Sequence, residues 1–522
     1  MSTTVVPSEP TGTLSDAWRT CVGTGRFNLA LRRDYQDSLA LVQREIGFRY
    51  VRGHGLLSDD VGVHRPYEAS GTAGHTGTLY AFTYVDQVVD AYLALGIKPF
   101  LELGFMPSGL ASGDATVFWW KGNITPPRDH AEWRALVQAV LRHLIDRYGI
   151  EEVRTWPVEV WNEPNLVNFW LGGDSTTADR QAAYFRLYEA TAGAVKDVDA
   201  DLQVGGPAIS PGADDWWAPF AGFVADRHLP CDFVSFHAYT TGPAEHVPFG
   251  TYQTLRRPDA LLEQFGRPAE LLAGTALAGK PAHVTEFNSS YRPDNPVHDT
   301  AFNAAYLAPV LAGGGDLVDS FSYWTFCDVF EEENVPTSIF HGGFGMLTHR
   351  QVKKPTYHLY AFLARMGTDV LARGEDHLVT RDAASGRVTV LAWQPVGGSD
   401  DPTEPDSHAV RLSVPVGPAR PGGTAPATTY AHRSDVDDES GNAFTAWQRL
   451  GRPASPTLRQ LDTLHEAAEP VRSHASLPVT DGRVDLALTL RRHGVTLVEL
   501  DPVVDETPAW LDDARILGRA GR

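Results

Sequence analysis

The chain is poor in cysteine. Cys21, Cys231 and Cys327 are its only ones, and they lie far apart. They make no CxxC pair, no zinc-ligand spacing and no disulfide framework, so buried free thiols are expected. Positive charge is also short, with 44 Lys and Arg against 65 Asp and Glu, a formal net charge of −21. That balance, without any basic run, excludes a nucleic-acid or anionic-membrane partner. No apolar stretch is long enough to cross a bilayer. The first residues, MSTTVVPSEP, lack the basic and apolar segments of a secretory signal, so a cytoplasmic protein is expected. HExxH, the P-loop and the dinucleotide fingerprint are missing too, so no metal and no cofactor are expected. There is no internal repeat and no low-complexity tract.

What is present is ordinary globular composition, 43% hydrophobic and 10% aromatic over 522 residues. That is enough chain for a large core and more than one domain. From about residue 45 to 325, short apolar runs alternate with amphipathic stretches. Gly47–Gly55, Ile97–Phe105 and Val158–Pro164 read as strands with their loops, as do the runs LQVGGPA, FVSFHAY, AHVTEFN and SFSYWTF further on. Val85–Gly96, Ala131–Gly149 and Ala178–Val198 read as helices, two of them closed by glycine. Counting from Phe48, and admitting a weak strand near Thr78–Phe82, gives about eight strand–helix units. The expected fold is α/β: a TIM (β/α)8 barrel over residues 15–360.

After about residue 365 the texture changes to short alternating runs, as in HAVRLSVPV and GVTLVELDP. Ala383–Gly386 suits a hairpin turn, while Asp400–Ser407 and Gly417–Thr424 read as loops. An accessory all-β sandwich over residues 361–522 is expected. The strand-like TTVVP has no barrel partner, so residues 1–14 are expected to join that sandwich.

In such a barrel the C-terminal strand ends carry the active site. Polar residues close one apolar strand after another: Arg52 and His54, Glu102, Asn162 and Glu163, His237 and Tyr239, Glu286 and Asn288, then Trp324 before the acidic run Asp328–Glu333. Each alone has a plain structural explanation, such as a cap, an ion pair or a packed core side chain. Six of them at one rim make a site. Two carboxylates there, Glu163 and Glu286, are what glycoside hydrolysis requires, one as acid and one as nucleophile or stabiliser. Arg52 and His237 would favour an ionised carboxylate, and aromatic walls would keep its partner protonated. Asn162 is placed to reach a sugar 2-OH, and Pro164 ends strand pairing just beyond. Phe118, Trp119, Trp120, Phe169, Trp170, Tyr291 and Trp324 offer aromatic faces to sugar rings.

WNEPN and TEFNSS in this order, with Trp18–Gln36, Gly47–Asp60 and Ser322–Leu347, make the chain resemble glycoside hydrolase family 39 of clan A, the family of β-xylosidases and α-L-iduronidases. The resemblance covers nearly the whole barrel. It implies Glu163 as acid/base, Glu286 as nucleophile, a TIM barrel, and a sandwich built from the C-terminal part and the extreme N-terminus. It also implies sugar-hydroxyl contacts from His237 and from the glutamate run, where Glu331 and Glu332 are expected to face inward. His54, Tyr239, Trp324 and Phe118 complete the expected substrate contacts.

The β-xylosidase branch fits best, because no Lys or Arg follows Glu286 until Arg292 to pair with a uronate. The expectation is a retaining exo-acting β-xylosidase that releases xylose from short β-xylosides. The alternatives are another specificity in the family (β-glucosidase, β-galactosidase, arabinosidase or α-L-iduronidase-like) or a non-catalytic carbohydrate-binding protein. The last has no need of both carboxylates. The expected partner is an oligosaccharide or glycoside, and the sandwich edges leave a homo-oligomer open.

Overall fold

The computed structural model describes residues 3–68, 76–172, 176–248, 250–399, 405–417 and 426–503, with 515–516 and 518. Eight parallel strands close into a barrel. In chain order they are β1 (Cys21–Arg26), β2 (Tyr50–His54), β3 (Lys98–Leu103), β4 (Val158–Val160), β5 (Val204–Ile209), β6 (Phe233–Tyr239), β7 (Ala282–Asn288) and β8 (Ser320–Tyr323). β8 returns to β1 through Tyr323 opposite Val22, which completes the ring.

The sequence count needs one correction. The eighth strand is Cys21–Arg26, not the run near Thr78–Phe82. Thr76–Tyr80 instead pairs antiparallel with His64–Glu68 in a hairpin beside the barrel. CVGTGR hides as a strand because glycine replaces the apolar residues that usually mark one. The packing demands it: a Cβ on Gly23 would sit 2.4 Å from the Trp324 ring, and one on Gly25 would sit 2.9 Å from Phe330.

The barrel helices follow from their patterns. In His130–Tyr148, Trp133, Leu136, Val137, Val140, Leu141 and Leu144 form one buried stripe. The Asp129 carboxylate caps its start by accepting from Ala131 N, and Gly149, at φ 87°, ends it. Such a cap contributes about 1 kcal/mol. No helix among the described residues is long and apolar enough to cross a membrane.

Beyond Leu363 the chain builds a seven-stranded and a three-stranded sheet. Arg483–Arg491 alternates buried and exposed residues along its length, the mark of a sheet with one face in the core. Thr4–Val5 pairs with Ser407–Pro415, and Gly12–Thr13 pairs with Asp369–Arg373. Most of the expected loops 400–407 and 417–424 lies outside the described residues. The C-terminal part also holds two helices that an all-β reading misses, Ala443–Arg449 and Leu458–Ala468. The second opens on a capping box of Thr457 and Gln460. Leu464 and Ala468 bury against Ile339 and Phe340 of the long segment after β8. The seven-stranded sheet packs on the barrel, with Leu391, Trp393, Val495 and Leu497 in one buried cluster with Leu307 and Tyr360.

Candidate active site

β4 stops at Val160, and the chain turns sharply. Trp161 and Glu163 have φ of 71° and 43°, a left-handed backbone that bulky residues rarely adopt. The turn is held on both sides. Trp161 is fully buried and donates its indole N–H to Phe169 O at 2.9 Å. Glu163 N donates to Ala208 O at 2.9 Å, at the register irregularity near the end of β5. Backbone strain kept by such packing is typical of functional positions. Here it aims the Glu163 carboxyl across the barrel mouth.

Glu286 is aimed by another device. In the β6–β7 ladder, Phe236 faces Val284 but His237 faces Glu286, so Thr285 is an extra residue. Such a bulge lets two consecutive side chains escape strict alternation. Thr285 donates to Glu159 in the barrel interior at 2.8 Å, while Glu286 meets Arg52 and Tyr239 above it.

Arg52 is the hub. It is fully buried, donating to Glu159 (2.8 Å), to Asn162 Oδ1 (2.9 Å) and to Glu286, with Glu102 at 3.0 Å. Burial opposes its charge, but Glu159, Glu102 and Glu286 outweigh that and raise its pKa. His54 behaves alike. Its Nδ1 lies 2.7 Å from Glu102, and although burial opposes protonation, Glu102 pushes its pKa up to about 10. Glu102 in turn is held ionised against burial by His54 and Arg52.

The two central carboxyls differ. Burial above all raises Glu163 to about 7, with Glu102 adding to the rise and His54 and Arg52 opposing it. Burial also raises Glu286, but the charges of Arg52 and His54 oppose it. Glu286 accepts from Arg52 on one oxygen and from the Tyr239 hydroxyl at 2.8 Å on the other. Burial holds the Tyr239 phenol well above its usual pKa, so it stays a donor. The anion therefore belongs on Glu286 and the proton on Glu163.

A cavity of about 710 Å³ opens over these groups. Eight of the expected residues line it: His54, Phe118, Asn162, Glu163, Tyr239, Glu286, Trp324 and Glu332. Two do not. His237 lies beneath Glu163, its Nδ1 2.8 Å from Glu163 Oε1, and is 2% exposed. Glu331 turns away to pair with Arg26 at 2.9 Å and Arg32 at 2.8 Å. Of the expected aromatics, Trp119, Phe169 and Tyr291 line the cavity, while Trp170 packs on Trp161. Glu333 joins the lining in place of Glu331, together with Arg292. Glu159 was missed too. Its only sequence signal was a charged residue in the middle of an apolar strand.

The segment carrying Glu332, Glu333 and Phe344 is pinned from below. The buried Lys354 ammonium lies 2.7 Å from both Asp299 and Asp328 and donates to Gly343 O. The same carboxylates accept from Gly342 N and Gly345 N.

Among the described residues, Glu163, His237 and Glu286 are the one set of three whose donor atoms, all within 4.8 Å of one another, could converge on a metal ion. A cation there would meet the charges of Arg52 and His54 beside Glu286, so the donor set does not suit one.

The family model for glycosyl hydrolases family 39 matches residues 1–485. A β-xylosidase of Geobacillus stearothermophilus is 48% identical over 516 residues, covering 98% of each chain. A β-xylosidase of Caldicellulosiruptor saccharolyticus is 33% identical over 507 residues, covering 96% of this chain and 98% of its own. The crystal structure of a monomeric β-xylosidase from Caulobacter crescentus CB15 superposes with a TM-score of 0.81 at 32% identity, over 96% of this chain and 100% of that one.

Proposed function

We propose a retaining, exo-acting β-xylosidase, because the chain belongs to glycosyl hydrolases family 39 and its barrel mouth brings two carboxyls close together. The close approach of the two carboxyls carries the reading. An oxygen of Glu163 and one of Glu286 lie within 4.8 Å. Direct attack by one carboxylate requires carboxyls about 5–5.5 Å apart, whereas an inverting water needs about 6.5–9.5 Å.

In this reading Glu286 attacks the anomeric carbon while Glu163 gives its proton to the leaving oxygen. The C–O bond to the leaving group breaks, and a glycosyl ester forms on Glu286. With the Glu286 charge gone, Glu163 as carboxylate takes a proton from the incoming water, which opens the ester with a second inversion. Asn162 supports the sugar: its Oδ1 is taken by Arg52, which leaves its amide N–H groups for a 2-OH. The imidazolium of His54 lies 3.4 Å from Glu332, holding that carboxylate ready to accept sugar hydroxyls. Trp324 and Phe118 supply the apolar faces.

The test combines stereochemistry and product size. NMR of the first anomer released from an aryl β-xyloside should show β-xylose. Short xylooligosaccharides should lose single xylose units from the non-reducing end. First-formed α-xylose would sink the retaining mechanism, and rapid midpoint cleavage of long xylan would sink the exo mode. A panel of aryl glycosides separates the xylosidase from its β-glucosidase, β-galactosidase, arabinosidase and iduronidase alternatives.

A further inference from the structure

The cavity is lined by four acidic side chains, Glu163, Glu286, Glu332 and Glu333. Among the described residues, Arg292 is the one arginine or lysine in that lining. A guanidinium at the mouth of a sugar site is a ready partner for a sugar carboxylate, since its planar fork matches a carboxylate in two parallel hydrogen bonds. Here the fork is already filled. Nη1 donates to Glu333 Oε1 at 2.5 Å and Nη2 donates to Glu333 Oε2 at 2.8 Å.

The rest of Arg292 is fixed independently of Glu333. Its Nε donates to Asp294 at 3.1 Å, and Thr251 holds the other Asp294 oxygen at 2.8 Å. The Arg292 side chain is 15% exposed, whereas Glu333 is 52% exposed. A half-buried, tethered cation is therefore capped by a solvent-facing glutamate from another loop.

We propose that Glu333 is a specificity-determining residue: it masks the fork of Arg292 and so keeps the mouth selective for neutral xylosides over those whose xylose next to the scissile bond carries a uronic acid. This rests on the β-xylosidase reading of the same site. With the mask in place, an incoming carboxylate meets a neutralised arginine and three further acids. Without it, the carboxylate takes the place of Glu333 on a fork that Asp294 still orients.

The experiment compares kcat/KM for neutral xylotriose and for its uronic-acid-substituted counterpart in each enzyme, so that the ratio is internally normalised. Wild type should prefer the neutral substrate. In Glu333→Ala the acidic-to-neutral ratio should rise at least about tenfold, the scale of a two-bond charged contact. Adding Arg292→Met to Glu333→Ala should return the ratio to the wild-type value. Glu333→Gln, which keeps the side-chain volume, should move the ratio in the same direction and serves if the alanine variant folds poorly. The proposal is overturned by a wild type that uses both substrates equally, by a ratio that Glu333→Ala leaves unmoved, or by a raised ratio that survives removal of Arg292. A wild type inactive on neutral xylotriose would instead strike the xylosidase reading, and this inference with it.

Discussion

His237 stands directly against Glu163, its Nδ1 2.8 Å from Glu163 Oε1. Burial lowers the imidazole to about 4, so at neutral pH it contributes a hydrogen bond and no charge. Glu163 is thus left with an uncharged neighbour, and burial places it at about 7.

The first prediction concerns pH. Glu163 must carry its proton to start the reaction, so kcat/KM should fall as pH rises through about 7. The same shift acts on stability. Glu163 titrates near 4.5 when unfolded and near 7 when folded. The folded protein therefore holds a proton that the unfolded chain has lost between those values, and stability falls as pH rises across that window, by at most about 3 kcal/mol. Glu163→Gln has no such loss. Thermal melts at pH 5 and pH 8 should show the variant gaining on wild type at the higher pH; a constant difference would refute the assignment.

Tyr239 gives a second prediction. It donates to the anion of Glu286 at 2.8 Å. In Tyr239→Phe that anion loses a donor, so its pKa rises and the acid limb of the pH profile should move to higher pH. kcat should fall by about 10- to 100-fold, as for a charge-assisted hydrogen bond. An unmoved acid limb would show that the phenol does not act on Glu286.

The two glutamates should answer differently to truncation. Glu163→Ala should lose about 10²–10⁴ in rate, chiefly with poor leaving groups. With a good aryl leaving group its second step should become slow, and azide should restore turnover and yield the β-xylosyl azide. Glu286→Ala should be nearly inactive with every leaving group, and any azide product should be the α-anomer. NMR of the products decides, since swapped anomers would reverse the roles.

Glu331 and Glu332 are adjacent but face opposite ways. Glu332→Ala should raise KM for xylosides, because it lines the cavity. Glu331→Ala should leave Arg26 and part-exposed Arg32 without a shared partner. It should lower the melting temperature more than it changes KM. Steady-state kinetics and melts on both variants would show whether the effects divide in this way.

The barrel was legible in sequence wherever apolar runs alternated with amphipathic helices, and invisible where glycine served as strand. Cys21–Arg26 lacks a hydrophobic signature because Trp324 and Phe330 leave no room for side chains there. Likewise, the glutamate run offered no periodicity to choose among its members. Glu331 turns outward because Arg26 and Arg32 lie behind it, and both come from the other end of the barrel sequence. Glu159 escaped notice because a charged residue inside a strand has meaning only once Arg52 and Thr285 are seen to meet it.

By itself the sequence determined seven of the eight barrel strands, the order of polar residues at strand ends, and the pair Glu163 and Glu286. These are local: each depends on a residue closing its own strand, and the barrel then brings the strand ends to one rim. Only the tertiary structure decided which carboxyl holds the proton and which cation is already occupied. Protonation follows from burial and from charges on other strands, as Arg52, Glu102 and His54 act on Glu163. Arg292 reads in sequence as a lone cation after Glu286, and becomes a masked one only because the loop after β8 lays Glu333 across its fork. Electrostatics acts through space between elements distant in the chain, and a one-dimensional pattern carries no record of those distances.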